Sequence, residues 1–260
     1  MNKHEEAFQT LLAAAATLCL IVKMMKRAKK QLLPSIGTLP KELLTEVCAR
    51  VGSSVVTDLF NLKQSCKQFY RAGVDIEVLR RVSLEKLLEI RWRVSSGYHS
   101  FIRQCRENGN PEALFKHGMV EYFSRMEQES GIELLKKAID LGHEVAAYML
   151  GLILLCTNYP LKDQALEILK KVEQGCSPSS SAKIKKCHKR SKEILRDMWT
   201  NTVSLPKPAE PICTSLVCNK RNGLINSSRW LSIEDEEPPN CEACIWDWEI
   251  VLLRNVLHAT

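Results

Sequence analysis

The chain has 260 residues, 45% hydrophobic and 26% charged, with a formal net charge of +7. That composition is globular, and with 11 Gly and 10 Pro it excludes a collagen-like or wholly disordered chain. The charge is clustered. Lys23, Lys26, Arg27, Lys29 and Lys30 form one basic block, Lys183, Lys185, Lys186, Lys189, Arg190, Lys192 and Arg196 a second, and Glu234 to Glu237 a short acidic run.

Residues 1–33 read as an N-terminal extension outside the fold. Their apolar run, Leu11 to Val22, is too short to span a bilayer. The positive charges follow that run, whereas a signal peptide places them before it. Met24 or Met25 is an alternative start of translation.

From residue 34 to 82 the spacing predicts three short helices. The first, 40–51, carries Leu43, Leu44, Val47 and Val51 with polar residues opposite. After Gly52-Ser53-Ser54, Thr57 or Asp58 is placed to cap a second helix bearing Leu59, Leu62, Cys66 and Phe69. Val74 to Val82 closes the segment. So small a unit buries little of its own apolar surface, and its stripe needs cover from elsewhere. The run LPKELLTEVCARVGSSVVTDLFNLKQSCKQFYR, residues 39–71, resembles an F-box through Leu39-Pro40, Glu42-Leu43-Leu44, Val47, Val51, Asp58-Leu59, Leu62, Ser65-Cys66-Lys67 and Phe69. Members of that family dock this motif onto the Skp-type adaptor of SCF ubiquitin ligases, which sits on a cullin scaffold, while the rest of the chain selects a protein substrate. The resemblance implies an adaptor surface of Leu39, Pro40, Leu43, Leu44, Val47, Leu59, Leu62, Cys66 and Lys67.

Residues 83–110 read as connecting helices, broken near Ser95-Ser96-Gly97, that bring Leu84, Leu87, Leu88, Trp92, Phe101 and Ile102 to a core. Residues 111–176 repeat. Ala113, Phe115 and Gly118 recur as Ala146, Tyr148 and Gly151, each 33 residues on; Leu134, Leu135 and Lys137 recur as Ile168, Leu169 and Lys171, each 34 on. Two helices per unit at this period predict a helical solenoid, in which Gly118 and Gly151 let neighbouring helices approach and Gly142 stops a helix. The units resemble Sel-type repeats, a variant of tetratricopeptide arrays, through Ala146, Leu150-Gly151, Lys137-Ala138 and Gly142; Lys171-Val172 departs from the pattern. Two units need capping helices. Residues 177–204 supply one: after the Ser177–Ser181 joint, Ile184, Cys187, Ile194, Leu195, Met198 and Trp199 form an apolar stripe with basic residues outward.

Past the proline-rich linker 205–211, residues 205–260 form a Cys-rich C-terminal module. Cys213-x4-Cys218-x22-Cys241-x2-Cys244 has the two-pair spacing that suits a tetrahedral structural zinc; reduced structural thiols are the alternative. His258 is a spare ligand. Four thiolates leave no open position for a substrate, so the metal would be structural. The helix containing Trp246 and Trp248 is expected to dock on this module or on the repeats.

The chain holds 11 cysteines, of which Cys48, Cys66, Cys105 and Cys156 lie on helical apolar stripes. A secreted disulfide scaffold does not use thiols this way, so a reducing compartment, cytosol or nucleus, is expected. No phosphate-binding loop or nucleophile elbow is present, and the six histidines form no metal pair. Cys187 and His188 are helix neighbours that point apart, which rules against a dyad. No catalysis is expected.

The order of segments, with NGNPEA at 108–113, GIELLKKAIDLGH and AYMLGLILLC, resembles one plant group of F-box proteins over about residues 34–250. Related members end in a two-zinc MYND finger, for which the four cysteines and one late histidine here are too few. The expected fold is all-α and the expected role a ligase substrate receptor. The alternatives are an adaptor-independent helical scaffold and a zinc-stabilised nucleic-acid binder using Lys183 to Arg196.

Overall fold

The computed structural model describes residues 36, 39–85, 87, 96–157, 161–174, 180–198, 205, 206, 208, 210–215, 218 and 241–259. The 1–33 extension, Leu88, Trp92, Ser177 to Ser179, Trp199 and the acidic run at 234–237 lie outside the described residues.

Among the described residues the structure is all-α. Its helices are α1 Lys41–Ser54, α2 Val56–Ser65, α3 Lys67–Ala72, α4 Ile76–Arg81, α5 Ser96–Glu107, α6 Pro111–Phe123, α7 Gln128–Asp140, α8 Glu144–Thr157, α9 Lys162–Gln174, α10 Ser180–Asp197 and α11 Glu242–Ala259.

The first segment holds four helices where the spacing predicts three. Cys66 is extended (φ −160°, ψ 161°), so the expected second helix ends at Ser65 and Phe69 sits on the separate helix α3. The residue before α2 is extended Val55, not Thr57 or Asp58, and it makes no side-chain cap. A β-branched side chain suits that extended position, and the Val55 N–H is still satisfied by the Val51 carbonyl.

α1 has two apolar faces. Leu44 and Cys48, with Thr45 and Ala49, are buried against Leu59, Phe69, Val78 and Leu79. The same core includes Leu84, Phe101, Cys105 and Ala113, so α5 and the first turn of α6 complete it. Packing therefore runs without a break across residue 82. Residues 82–84 are not helical, and Lys116 Nζ donates to the Leu84 carbonyl at 3.0 Å, fixing this segment to α6.

The repeats form two antiparallel hairpins, α6–α7 and α8–α9, around a second core that includes Phe115, Met119, Tyr122, Leu135, Tyr148, Leu150 and Leu169. Gly118 and Gly131 face one another across the first hairpin. A Cβ on Gly131 would lie 2.9 Å from the Tyr122 backbone nitrogen. In the second hairpin, a Cβ on Gly151 would lie 2.5 Å from Leu169 Cγ. Gly142, at φ +84°, ends α7 in the left-handed region that glycine enters without strain.

α10 caps the second hairpin with Ile184, Cys187, Ile194 and Leu195. α11 then lays Trp246, Ile250, Leu253, Val256 and Leu257 into the same core. Leu205, expected in an extended linker, is also buried there.

Candidate functional site

The expected adaptor residues divide by position. Leu39, Leu43 and Val47, spaced four apart, are 41%, 52% and 41% exposed, and form a ridge along the entrance and outer face of α1. Pro40 and Lys67 are also exposed, and Leu62 and Cys66 are half-buried. Leu44 and Leu59 are 5% and 0% exposed. They support the ridge from beneath and offer no surface to a partner, because they belong to the inward face of α1 and α2. Ile36, Tyr70, Val74 and Ile76 add further exposed apolar side chains on the same small unit. Most of the large exposed hydrophobics among the described residues thus lie between 36 and 76.

The end of α4, in the segment that carries the ridge, is connected to the repeats through Asn110, which is 1% exposed. Its Oδ1 caps α6 by accepting the Ala113 N–H at 3.1 Å. Its Nδ2 faces the carbonyls of Leu79, Arg80 and Val82 at 3.0, 3.2 and 2.9 Å.

A second polar joint closes the repeats. Glu112, on the first turn of α6, accepts from Arg190 Nη2 of α10 at 2.6 Å and meets His143 Nε2 at 2.7 Å. His143 Nδ1 accepts the Ala146 N–H at 3.0 Å, so the tautomer carrying its proton on Nε2 satisfies both partners. Burial pushes the Glu112 carboxyl up, but the His143 and Arg190 hydrogen bonds overcome it and hold the group down at about 2. Beside this joint, Lys116, Val120, Arg190, Ile194 and Met198 line a shallow groove between α6 and α10.

The basic block on α10 does not act as one patch. Arg190 is turned inward to Glu112, and Lys183 pairs with Glu144 at 3.6 Å, while Lys185, Lys186 and Lys189 remain exposed.

The four late cysteines converge. The sulfurs of Cys213, Cys218, Cys241 and Cys244 all lie within 4.8 Å of one another, and Cys213 and Cys241 are 3.9 Å apart. Four sulfurs at a Zn–S distance of about 2.3 Å on a tetrahedron stand about 3.8 Å apart, whereas bonded sulfurs stand at about 2.05 Å. The spacing fits a shared cation. Cys241 precedes the first turn of α11 and Cys244 lies on it. The Cys241 thiol is held below its ordinary value, first by the Cys244 backbone N–H, which favours the thiolate that a metal needs. Its neighbour Cys213 is shifted the other way, up, while burial pushes the structural thiols Cys105 and Cys156 up to about 12. His258 lies at the far end of α11 and takes no part in the cluster.

Sequence reasoning missed Asp247. One turn beyond Cys244, its Oδ1 accepts the Ile212 N–H at 2.8 Å and its Oδ2 the Cys213 N–H at 3.0 Å. α11 itself is anchored by Glu249, which accepts from Tyr148 Oη at 2.6 Å and meets His188 Nδ1 at 3.0 Å. Burial, then the Glu249 charge, raises the Tyr148 phenol well above its ordinary value and keeps it a donor. Among the described residues no helix is long and apolar enough to cross a membrane.

Residues 85–196 match the family of plant tetratrico peptide repeats. The chain is similar to three Arabidopsis thaliana proteins. With At1g67623 it is 30% identical over 181 residues, 69% of this chain and 60% of that one. With F-box protein At2g35280 it is 30% identical over 122 residues, 46% of this chain and 74% of that one. With F-box protein At1g67340 it is 25% identical over 120 residues, 45% of this chain and 32% of that one. No solved structure matches. This chain belongs to the plant F-box proteins. It spans about three fifths of the first relative's length.

Proposed function

We propose that this chain is the substrate-recognition subunit of an SCF-type ubiquitin ligase, working in the cytoplasm or nucleus. The exposed Leu39–Leu43–Val47 ridge is the observation that carries this reading. Burying one such leucine or valine against a partner contributes on the order of 1.5–3 kcal/mol. A Skp-type adaptor supplies that cover and links the chain to a cullin. The repeats present a protein target, with the α6–α10 groove as the candidate face. The chain contributes no catalytic group; ubiquitin transfer occurs on a separate enzyme, favoured by raised effective concentration. Cys213, Cys218, Cys241 and Cys244 hold one structural zinc, which fastens residues 213–218 to the start of α11.

Co-purification with a Skp-type adaptor tests this. Leu43→Arg combined with Val47→Arg is expected to abolish capture while the helical circular dichroism stays unchanged, since both side chains point to solvent. Leu44→Arg is expected to unfold the first segment, because it places a charge in a sealed core. Adaptor binding that survives the Leu43/Val47 pair rejects the ridge as the interface.

A further inference from the structure

Resting on the zinc reading of the four cysteines, we infer that Asp247 is the positioning residue of that centre. Its carboxylate holds the Cys213 backbone, and through it the Cys213 sulfur, in place for the metal. The cation-competent cluster contains sulfurs only, so Asp247 is not a ligand. Each carboxylate oxygen instead takes one of two consecutive backbone N–H groups, from Ile212 at 2.8 Å and Cys213 at 3.0 Å.

Those bonds fix the peptide unit leading directly into the Cys213 Cα. Residues 210–215 carry no helix or strand to do so. Asp247 stands on α11 three residues after Cys244, so one rigid helix presents both a ligand and the group that aims another. α11 is itself immobilised by Trp246 and Trp248, 1% and 6% exposed, and by the Glu249–Tyr148 hydrogen bond. The carboxylate adds negative charge beside four thiolates, which argues against an electrostatic role and for an orienting one. Partners that orient metal ligands in this way are commonly worth about 10–100-fold in metal affinity.

Asp247→Asn separates these ideas. The amide keeps one acceptor and turns a donor toward the second N–H, with volume conserved. In the full-length chain, zinc affinity is measured by competition with a chromophoric chelator, and the ligand set by the charge-transfer band after cobalt(II) substitution. We expect one metal per chain, a roughly tenfold loss of affinity in Asp247→Asn and up to about 100-fold in Asp247→Ala. The four-thiolate band should be retained in both, and Cys213→Ser should lose it. Wild-type affinity in both Asp247 variants overturns the positioning role and leaves the zinc centre standing. A wild-type chain that binds no metal overturns the zinc reading and this inference together.

Discussion

Asn110 reaches back 28 residues to Val82, donating its side-chain N–H to that carbonyl at 2.9 Å. The same side chain starts α6 through the Ala113 N–H. One buried amide thus closes the four-helix first segment and begins the repeats.

Replacing Asn110 by Ala removes a helix cap and leaves buried carbonyls of the α4 turn unmet. The expected loss is about 2–4 kcal/mol in the chemical denaturation of the full chain. Asn110→Asp keeps the cap but turns a carboxylate oxygen toward those carbonyls, and should be at least as damaging. If Asp matched wild type, the three contacts to 79, 80 and 82 would have no energetic weight.

Glu112 predicts an acid limb. Its folded-state value, about 2, lies below the ordinary 4.5, so its contribution is fully present above pH 4.5 and is lost as pH falls toward 2. A depression of that size corresponds to something like 3 kcal/mol, read as an order of magnitude for a group paired with two partners. Glu112→Gln should lower stability at pH 7 and flatten the stability profile between about pH 4.5 and 2. A mutant profile parallel to wild type would place the acid sensitivity elsewhere.

Gly131→Ala tests the closeness of the first repeat hairpin. Its Cβ would meet Tyr122 Cβ at 2.8 Å and the Tyr122 nitrogen at 2.9 Å, and a backbone atom cannot swing aside as a side chain can. Separating α6 from α7 should cost about 1–3 kcal/mol. Gly118→Ala, whose nearest contacts are 3.1–3.2 Å, should cost less. The reverse order in thermal denaturation would contradict this packing.

Elements with a local period were legible from residue order. The repeat helices, the Gly142 stop and the two cysteine pairs each have a signature within a few residues, because helix spacing and turn chemistry are local. α6 to α9 fall within the stretch 111–176 read as repeating pairs of helices. The apolar stripe of α1 was legible only in part. Leu43, Leu44 and Val47 look like one apolar face in one dimension, yet Leu44 turns inward with Cys48 while Leu43 and Val47 turn outward. Neighbouring side chains on a helix are separated by about 100°, and only the position of α2 to α5 decides which side is sealed. Asn110 has a local signature only as the cap before Pro111; its bonds to residues 79–82, and those of Glu112 and Asp247, have none. Those bonds reach partners about 30 to 80 positions away, so they arise from tertiary packing.

The Glu112–Arg190 bond joins the opening helix of the repeat array to the helix that follows its last hairpin. A tandem duplication between them would insert a third hairpin, push these two partners apart and strand a half-buried carboxylate without its cation. An added hairpin would have to bring its own basic partner for that carboxylate.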